Sequence, residues 1–215
     1  MDAARKKQLC DAHRARLRGR LVTGVLIVAV LAGAVALVLY LVYRPMKPQA
    51  SVARAAVYRL ASANNSSSTL SAQAVAASVQ FTLLLHNPSD RAAVLYDGLV
   101  AYTTYRGELV TPPAQLPQVV QDRGADVALS PLLGGGAVPV SADTARALAA
   151  DCGARRVQLR LVVIGRVRYR NGPFRSGWRD LYVRCDVVVG LSMEATVAGG
   201  GDVPLLEYPQ CAVDA

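Results

Sequence analysis

From Leu21 to Tyr43 the chain runs for 23 residues without a charged side chain (LVTGVLIVAVLAGAVALVLYLVY), and no other feature narrows its fold as much. At ~1.5 Å per residue, a helix of that length crosses the ~30 Å hydrocarbon core of a bilayer with slight tilt. A cleaved signal peptide carries a shorter apolar region, ~7 to 15 residues, ending at a small-residue cleavage site. This run is longer and leaves through Tyr40, Tyr43, Arg44 and Pro45. Length and flanks together predict one transmembrane anchor rather than a cleaved leader or the core helix of a soluble domain.

The charge pattern orients the anchor. Residues 1–20 hold seven Lys/Arg (Arg5, Lys6, Lys7, Arg14, Arg16, Arg18, Arg20) against Asp2 and Asp11, so +5 of the formal net charge of +9 precedes the apolar run. Lys and Arg next to a transmembrane end are retained on the cytosolic side. The expectation is a cytosolic N-terminus and a large C-terminal portion that is lumenal or extracellular. A basic excess placed beside an apolar segment reads as membrane attraction, and no nucleic-acid partner is expected. Ala29, Ala32, Gly33 and Ala36 place small residues three and four apart, a spacing that lets two such helices approach closely as a homo-oligomer.

The chain therefore divides into a basic tail (1–20), a transmembrane helix (21–43), a proline-containing stalk (44–50) and one domain (51–215). Within the domain, apolar residues recur at every second position, as in half-buried strands. Val157, Leu159, Leu161, Val163, Val167 and Tyr169 share one face, with Arg156, Gln158, Arg160, Arg166, Arg168 and Arg170 on the other. Leu181, Val183, Cys185, Val187 and Val189 repeat the pattern, and further strands are expected over 51–61, 75–86, 92–105 and 119–129. Asn87–Asp90, Arg106-Gly107, Thr111–Pro113, Gly134–Gly136 and Asn171–Pro173 read as reversals or flexible connections. Ser141, followed by Asp143 and a run of alanines, predicts one short helix with Ser141 as its N-cap. Strands of this number and spacing predict an all-β fold, a β-sandwich with one short helix.

Three cysteines, Cys152, Cys185 and Cys211, fall on the oxidising side, so at most one intramolecular pair forms. The preferred pair is Cys185 with Cys211, which ties the C-terminal segment to the last strong strand and leaves Cys152 over. Cys10, on the cytosolic side, reads as a free thiol, with acylation of a juxtamembrane cysteine as the alternative. Asn64-Asn65-Ser66 and Asn65-Ser66-Ser67 are overlapping N-glycosylation acceptors, while Pro88 blocks the one at Asn87.

Catalytic patterns are missing. The chain has two histidines, His13 and His86, and no C-x-x-C, H-E-x-x-H, G-x-x-x-x-G-K or G-x-S-x-G. His86, ending a strand before Asn87-Pro88, reads as a turn residue, and neither a metal, a cofactor nor an enzymatic activity is expected. The feature with binding chemistry is the arginine-rich stretch 155–184, opposed there by Asp180 alone. Guanidinium forks pair with carboxylates, so Arg156, Arg160, Arg166, Arg168 and Arg170 form a candidate basic face for an acidic cell-wall polysaccharide or another membrane protein. The competing reading is a solvated face that resists aggregation.

The residues Arg44-Pro45, Lys47-Pro48, Asn87-Pro88-Ser89, Val94-Leu95-Tyr96-Asp97, Tyr105-Arg106-Gly107, Pro117 and Val183-Arg184-Cys185-Asp186-Val187, in that order, resemble the plant harpin-induced-like proteins of the late embryogenesis abundant group 2 family. The resemblance implies an immunoglobulin-like or fibronectin-III-like sandwich, plasma-membrane residence, a part in pathogen or abiotic stress responses, and no catalytic residues. Cys185 and Cys211 fit the family pattern. Departures are Ser89 in place of a second asparagine, Val119-Val120 where an aromatic pair is expected, and the Gly134–Gly136 insertion. The function implied is non-enzymatic interaction in defence. The alternative is a protective role in dehydration, linking plasma membrane to cell wall.

Overall fold

The computed structural model describes residues 2–43, 46–64, 73–191, 201–203, 205 and 211–215, and separates into two units, Met1–Arg44 and Pro45–Ala215. The first is one helix, α1 (Asp2–Tyr43), so the basic stretch before the apolar run continues the same helix. Its segment Gly19–Tyr40 is long and apolar enough to cross a membrane, and none of it is buried. A signal sequence passes the same test of length and composition.

The second unit is built from strands β1 (Gln49–Asn64), β2 (Gln73–His86), β3 (Ala93–Tyr105), β4 (Glu108–Leu109), β5 (Ala114–Gln115), β6 (Val119–Gln121), β7 (Asp126–Leu129) and β8 (Leu132–Val140). Helix α2 (Ala142–Gly153) follows, then β9 (Arg156–Asn171), β10 (Phe174–Arg175), β11 (Arg179–Gly190), β12 (Gly201–Val203) and β13 (Ala212–Asp214). The smaller sheet has the order β12-β1-β2-β7, with β8 also pairing β2; the larger has the order β13-β11-β9-β3-β4, with β5 and β6 along β3 and β10 on β9. All pairings are antiparallel. Side chains from both sheets join one apolar cluster, so the sheets share a core.

Alternation fixes which face each strand buries. In β9 the odd positions Val157, Leu159, Leu161, Val163, Val167 and Tyr169 are buried, and in β11 so are Leu181, Val183, Cys185, Val187 and Val189, as the sequence pattern requires. Strand β3 does not hold one phase. Its inward residues are Val94 and Tyr96, then Leu99, Ala101, Thr103 and Tyr105, because a bulge between Asp97 and Val100 shifts the register against β9. Across this bulge Gly165 gives Leu99 room: a Cβ there would stand 3.1 Å from the Leu99 Cα and 3.2 Å from the Asp97 carbonyl oxygen. Two further bulges, after Val52 and after Val57, change the phase of β1 twice.

The structure corrects two expectations. The strand expected over 119–129 is broken after Gln121, and its halves lie in different sheets: β6 pairs β3, while β7 pairs β2. The Asn87 side chain holds this crossing in place, its amide donating to the Ala92 and Asp122 carbonyls at 2.8 and 3.0 Å. The glycine triplet Gly134–Gly136 is not a flexible connection but part of β8, where Gly134 lies opposite Ser78 with φ +150°. A Cβ on Gly134 would meet the Ala77 carbonyl oxygen at 2.6 Å, so this close approach of two backbones requires glycine.

Helix α2 forms where Ser141 predicts it. The Ser141 hydroxyl accepts from the Thr144 amide at 3.2 Å, the N-cap arrangement. Both ends of the helix are fastened to the β3–β4 hairpin. Glu108 accepts from the Ser141 amide (2.8 Å), the Ser141 hydroxyl (2.6 Å) and the Thr144 hydroxyl (3.0 Å), and the Tyr105 hydroxyl donates to Asp151. Between them, buried Ala145 and Leu148 seat the helix on the core.

Candidate functional site

Cys185 and Cys211 are bonded as a disulfide. Cys185 points into the core from β11, and the Cys211 amide donates to the Ala50 carbonyl at 2.9 Å, so the C-terminal segment is fastened to both sheets. Cys152 is free and partly buried, and burial together with the neighbouring Asp151 pushes its thiol up, holding it protonated at neutral pH. Of the glycosylation candidates, Asn64 ends β1 and its backbone pairs with Gln73, while its side chain and the whole of Asn65 lie outside the described residues. The side chain of Cys10 also lies outside them.

The His86 imidazole meets the carboxylate of its cross-strand neighbour Asp126 at 2.7 Å, on the surface. That contact braces the β2–β7 pairing, in keeping with a structural turn residue. Among the described residues, no group of three His, Cys, Asp or Glu side chains is placed to hold a metal ion.

Strand β9 lies in the middle of the larger sheet and carries Arg156, Arg160, Arg166, Arg168 and Arg170 on the face away from the core. They share a face but not an environment. Arg160 forms a fork on Asp186, its direct partner on β11, with Nε at 2.5 Å and Nη2 at 3.3 Å. That hydrogen bond raises the guanidinium pKa further. Arg166 reaches Asp97 on β3 at 2.9 Å. Arg168 donates from Nε to the Ser176 carbonyl at 2.9 Å, and both Arg166 and Arg168 stack on the Trp178 ring, at 5.5 and 5.6 Å from its centre. Arg156, opposite Gly190 at the far end of the strand, is also engaged. Arg170 faces Ala93 on one side and Arg175 on the other.

Asp180 is the one acidic residue within 155–184, but the acids that pair with these arginines, Asp186 and Asp97, lie outside that stretch. Asp97 is 69 residues away from Arg166 along the chain and gives no local signal. Asp186 was legible, since it shares the outward phase of β11. Exposed pairs of this kind contribute only about 0–1 kcal/mol each, so they neutralise the face more than they stabilise it.

Past the last of these pairs the face stays basic. Arg170, Arg175 and Arg123, the last from the connection between β6 and β7, line one depression of 410 Å³ together with Asp122 and Ala93. An adjoining hollow of 160 Å³ is lined by Ala93, Leu95 and Val120 beneath Arg168, Arg170 and Arg175. A third concavity, 390 Å³, lies between the β3–β4 turn and α2, where Arg106, Asp151, Arg160 and Asp186 meet. Its Arg160–Asp186 and Tyr105–Asp151 contacts are internal, so these groups already satisfy one another.

No family model matches the chain. Three Arabidopsis thaliana proteins do. NDR1/HIN1-like protein 1 is 27% identical over 209 residues, which span 95% of this chain and 98% of that protein. NDR1/HIN1-like protein 12 is 28% identical over 177 residues, 81% of each chain. NDR1/HIN1-like protein 26 is 27% identical over 157 residues, 73% of this chain and 71% of its own length. Over most of its length the chain is therefore similar to the NDR1/HIN1-like proteins, which supports its placement with the harpin-induced-like proteins.

Proposed function

We propose that this protein is a single-pass membrane protein of plant defence that acts by binding rather than catalysis. Helix α1 crosses the plasma membrane with its N-terminus in the cytosol, and unit Pro45–Ala215 presents the outer face of its larger sheet to partners outside the cell. The observation that carries this reading is α1 itself: 22 residues, Gly19–Tyr40, with no side chain buried, directly after a strongly basic segment. The Cys185–Cys211 disulfide supports an oxidising compartment for the domain. The partners that fit are acidic, either a wall polysaccharide or the acidic surface of another membrane protein, and Ala29, Ala32, Gly33 and Ala36 give two copies of α1 a surface for close pairing.

A protective role during dehydration is the second reading, favoured by the way Arg160 and Arg166 are neutralised within the domain. It predicts altered desiccation survival on deletion, with pathogen responses intact.

The deciding experiment expresses the full chain in plant membranes and combines protease protection of each terminus with a glycosidase-sensitive mobility shift, in wild type and in Asn64→Gln/Asn65→Gln. The expected result is a protected C-terminal domain and a shift lost in the double variant. A C-terminus cut by protease from the cytosolic side would sink the reading.

A further inference from the structure

At the β10 end of the larger sheet, three guanidinium groups crowd a hollow that supplies one carboxylate. Arg170 and Arg175 are direct cross-strand partners, and like charges set opposite one another destabilise a sheet. Elsewhere on the same face the arrangement is relieved: Arg160 has Asp186 and Arg166 has Asp97. Among the described residues, no ion pair engages Arg170, Arg175 or Arg123, although Asp122 lines the same depression. The sequence thus places uncompensated charge where two adjacent strands leave concave space.

The floor of the adjoining hollow has the opposite character. Leu95 and Val120 are partners across β3 and β6, Ala93 lies beside them, and Val120 is 58% exposed. An aliphatic floor beneath unpaired guanidinium groups calls for a ligand that presents a flat apolar face and a carboxylate from the same rigid unit. A pyranuronate ring has that form, with axial C–H groups on one face and a carboxylate attached directly to the ring. An Asp or Glu side chain brings only one or two methylenes and would leave the 160 Å³ hollow partly empty.

The geometry points to this double hollow as the seat of a carboxylated oligosaccharide. One uronate ring lies over Ala93, Leu95 and Val120, its carboxylate held between Arg170 and Arg175, with Arg123 at the rim for a second carboxylate. This rests on the reading above that the sheet is the binding face, and it moves the site from the ion-paired middle of β9 to its end.

The test titrates the full chain, in nanodiscs of neutral lipid, with an oligogalacturonate, its methyl-esterified form and an oligoglutamate of equal charge. The oligogalacturonate binds and the ester does not. Arg170→Gln and Arg175→Gln each weaken binding by roughly tenfold or more, the loss expected for a hydrogen bond to a charged group. Arg146→Gln, on helix α2 and paired with Asp143 away from this sheet face, leaves affinity unchanged, and circular dichroism checks that each variant is folded. Absence of oligogalacturonate binding, equal binding of the ester, or wild-type affinity in both hollow variants overturns the proposal. Tighter binding of the oligoglutamate also overturns it, in favour of an acidic protein segment. The assay does not depend on cellular topology, so its failure leaves the anchored-interaction reading standing, whereas an inverted topology in the protease experiment removes that reading whatever the affinity measured here.

Discussion

The Tyr96 hydroxyl donates to Gln121 Oε1 at 2.8 Å, with neither residue exposed to solvent. The Gln121 amide in turn donates to the Leu85 carbonyl at 2.8 Å and the Ala125 carbonyl at 2.7 Å. One side chain on β6 thus joins β3 of the larger sheet to β2 of the smaller sheet and to the turn between β6 and β7. Burial pushes the Tyr96 pKa well up, which keeps it a donor throughout the physiological range.

Replacing Gln121 with Leu removes its hydrogen bonds to the buried Tyr96 hydroxyl and Leu85 carbonyl, while the Ala125 carbonyl still accepts from the Asn87 backbone amide, and is expected to destabilise the domain by about 2–4 kcal/mol, more than the ~1–2 kcal/mol expected for Tyr96→Phe. Urea unfolding of the two single variants and the double variant measures both costs. A double-variant loss equal to the sum of the singles would contradict the coupling.

Gly134→Ala is expected to cost about 2 kcal/mol or more, because the new methyl collides with the Ala77 carbonyl and the Ser78 backbone rather than with a movable side chain. Gly135→Ala meets no atom within 4 Å, and its cost arises from backbone conformation alone. A larger fall in melting temperature for Gly134→Ala than for Gly135→Ala confirms the close approach of β8 to β2.

Loss of the disulfide removes a link across 26 residues, and the chain-entropy model puts that at about 3–4 kcal/mol. Cys185→Ala/Cys211→Ala is expected to unfold at correspondingly lower denaturant. Cys152→Ala should unfold close to wild type, and in the folded protein Cys152 should react slowly with iodoacetamide at neutral pH. Rapid modification of Cys152 would show that burial does not protect it.

Both pH limits have identifiable causes. Burial, and next the hydrogen bond to Asp151, push Tyr105 up to about 12, so its contribution is intact below the unfolded tyrosine value of about 10 and declines as pH rises through the folded one. Glu108 shifts the other way. Hydrogen bonds from Ser141 lower its pKa below 4.5, so its contribution is present above that value and is lost as pH falls through the lowered one. Melting curves should show Tyr105→Phe flattening the alkaline limb and Glu108→Gln flattening the acid limb, each leaving the opposite limb unchanged.

How much of this was legible in the sequence differs between strands. β9 and β11 are legible in the sequence because their inward residues keep one phase, with buried Val162 the exception in β9. β3 and β1 hide their pattern: each bulge moves the inward set from even to odd positions or back, so Leu99 and Ala55 fall out of step with Tyr96 and Val52. The stretch 119–129 failed for another reason. Its hydrophobicity suits a strand throughout, and only the Asn87 contacts and the paired edges waiting in two different sheets decide that it breaks at Asp122.

The sequence alone determined what is local: the apolar length of α1, the basic residues before it, the Ser141 cap and the outward row of arginines on β9. Those depend on spacing along one segment, which the side chains themselves encode. Tertiary structure decided which arginines are ion-paired and which are crowded by other arginines, since Asp97, Asp186 and Arg123 reach β9 only once distant parts of the chain pair as strands. Coulomb interactions act over a few ångströms and are indifferent to sequence separation, so a row of like charges in the sequence became a neutralised middle and a basic end only once the sheet had formed.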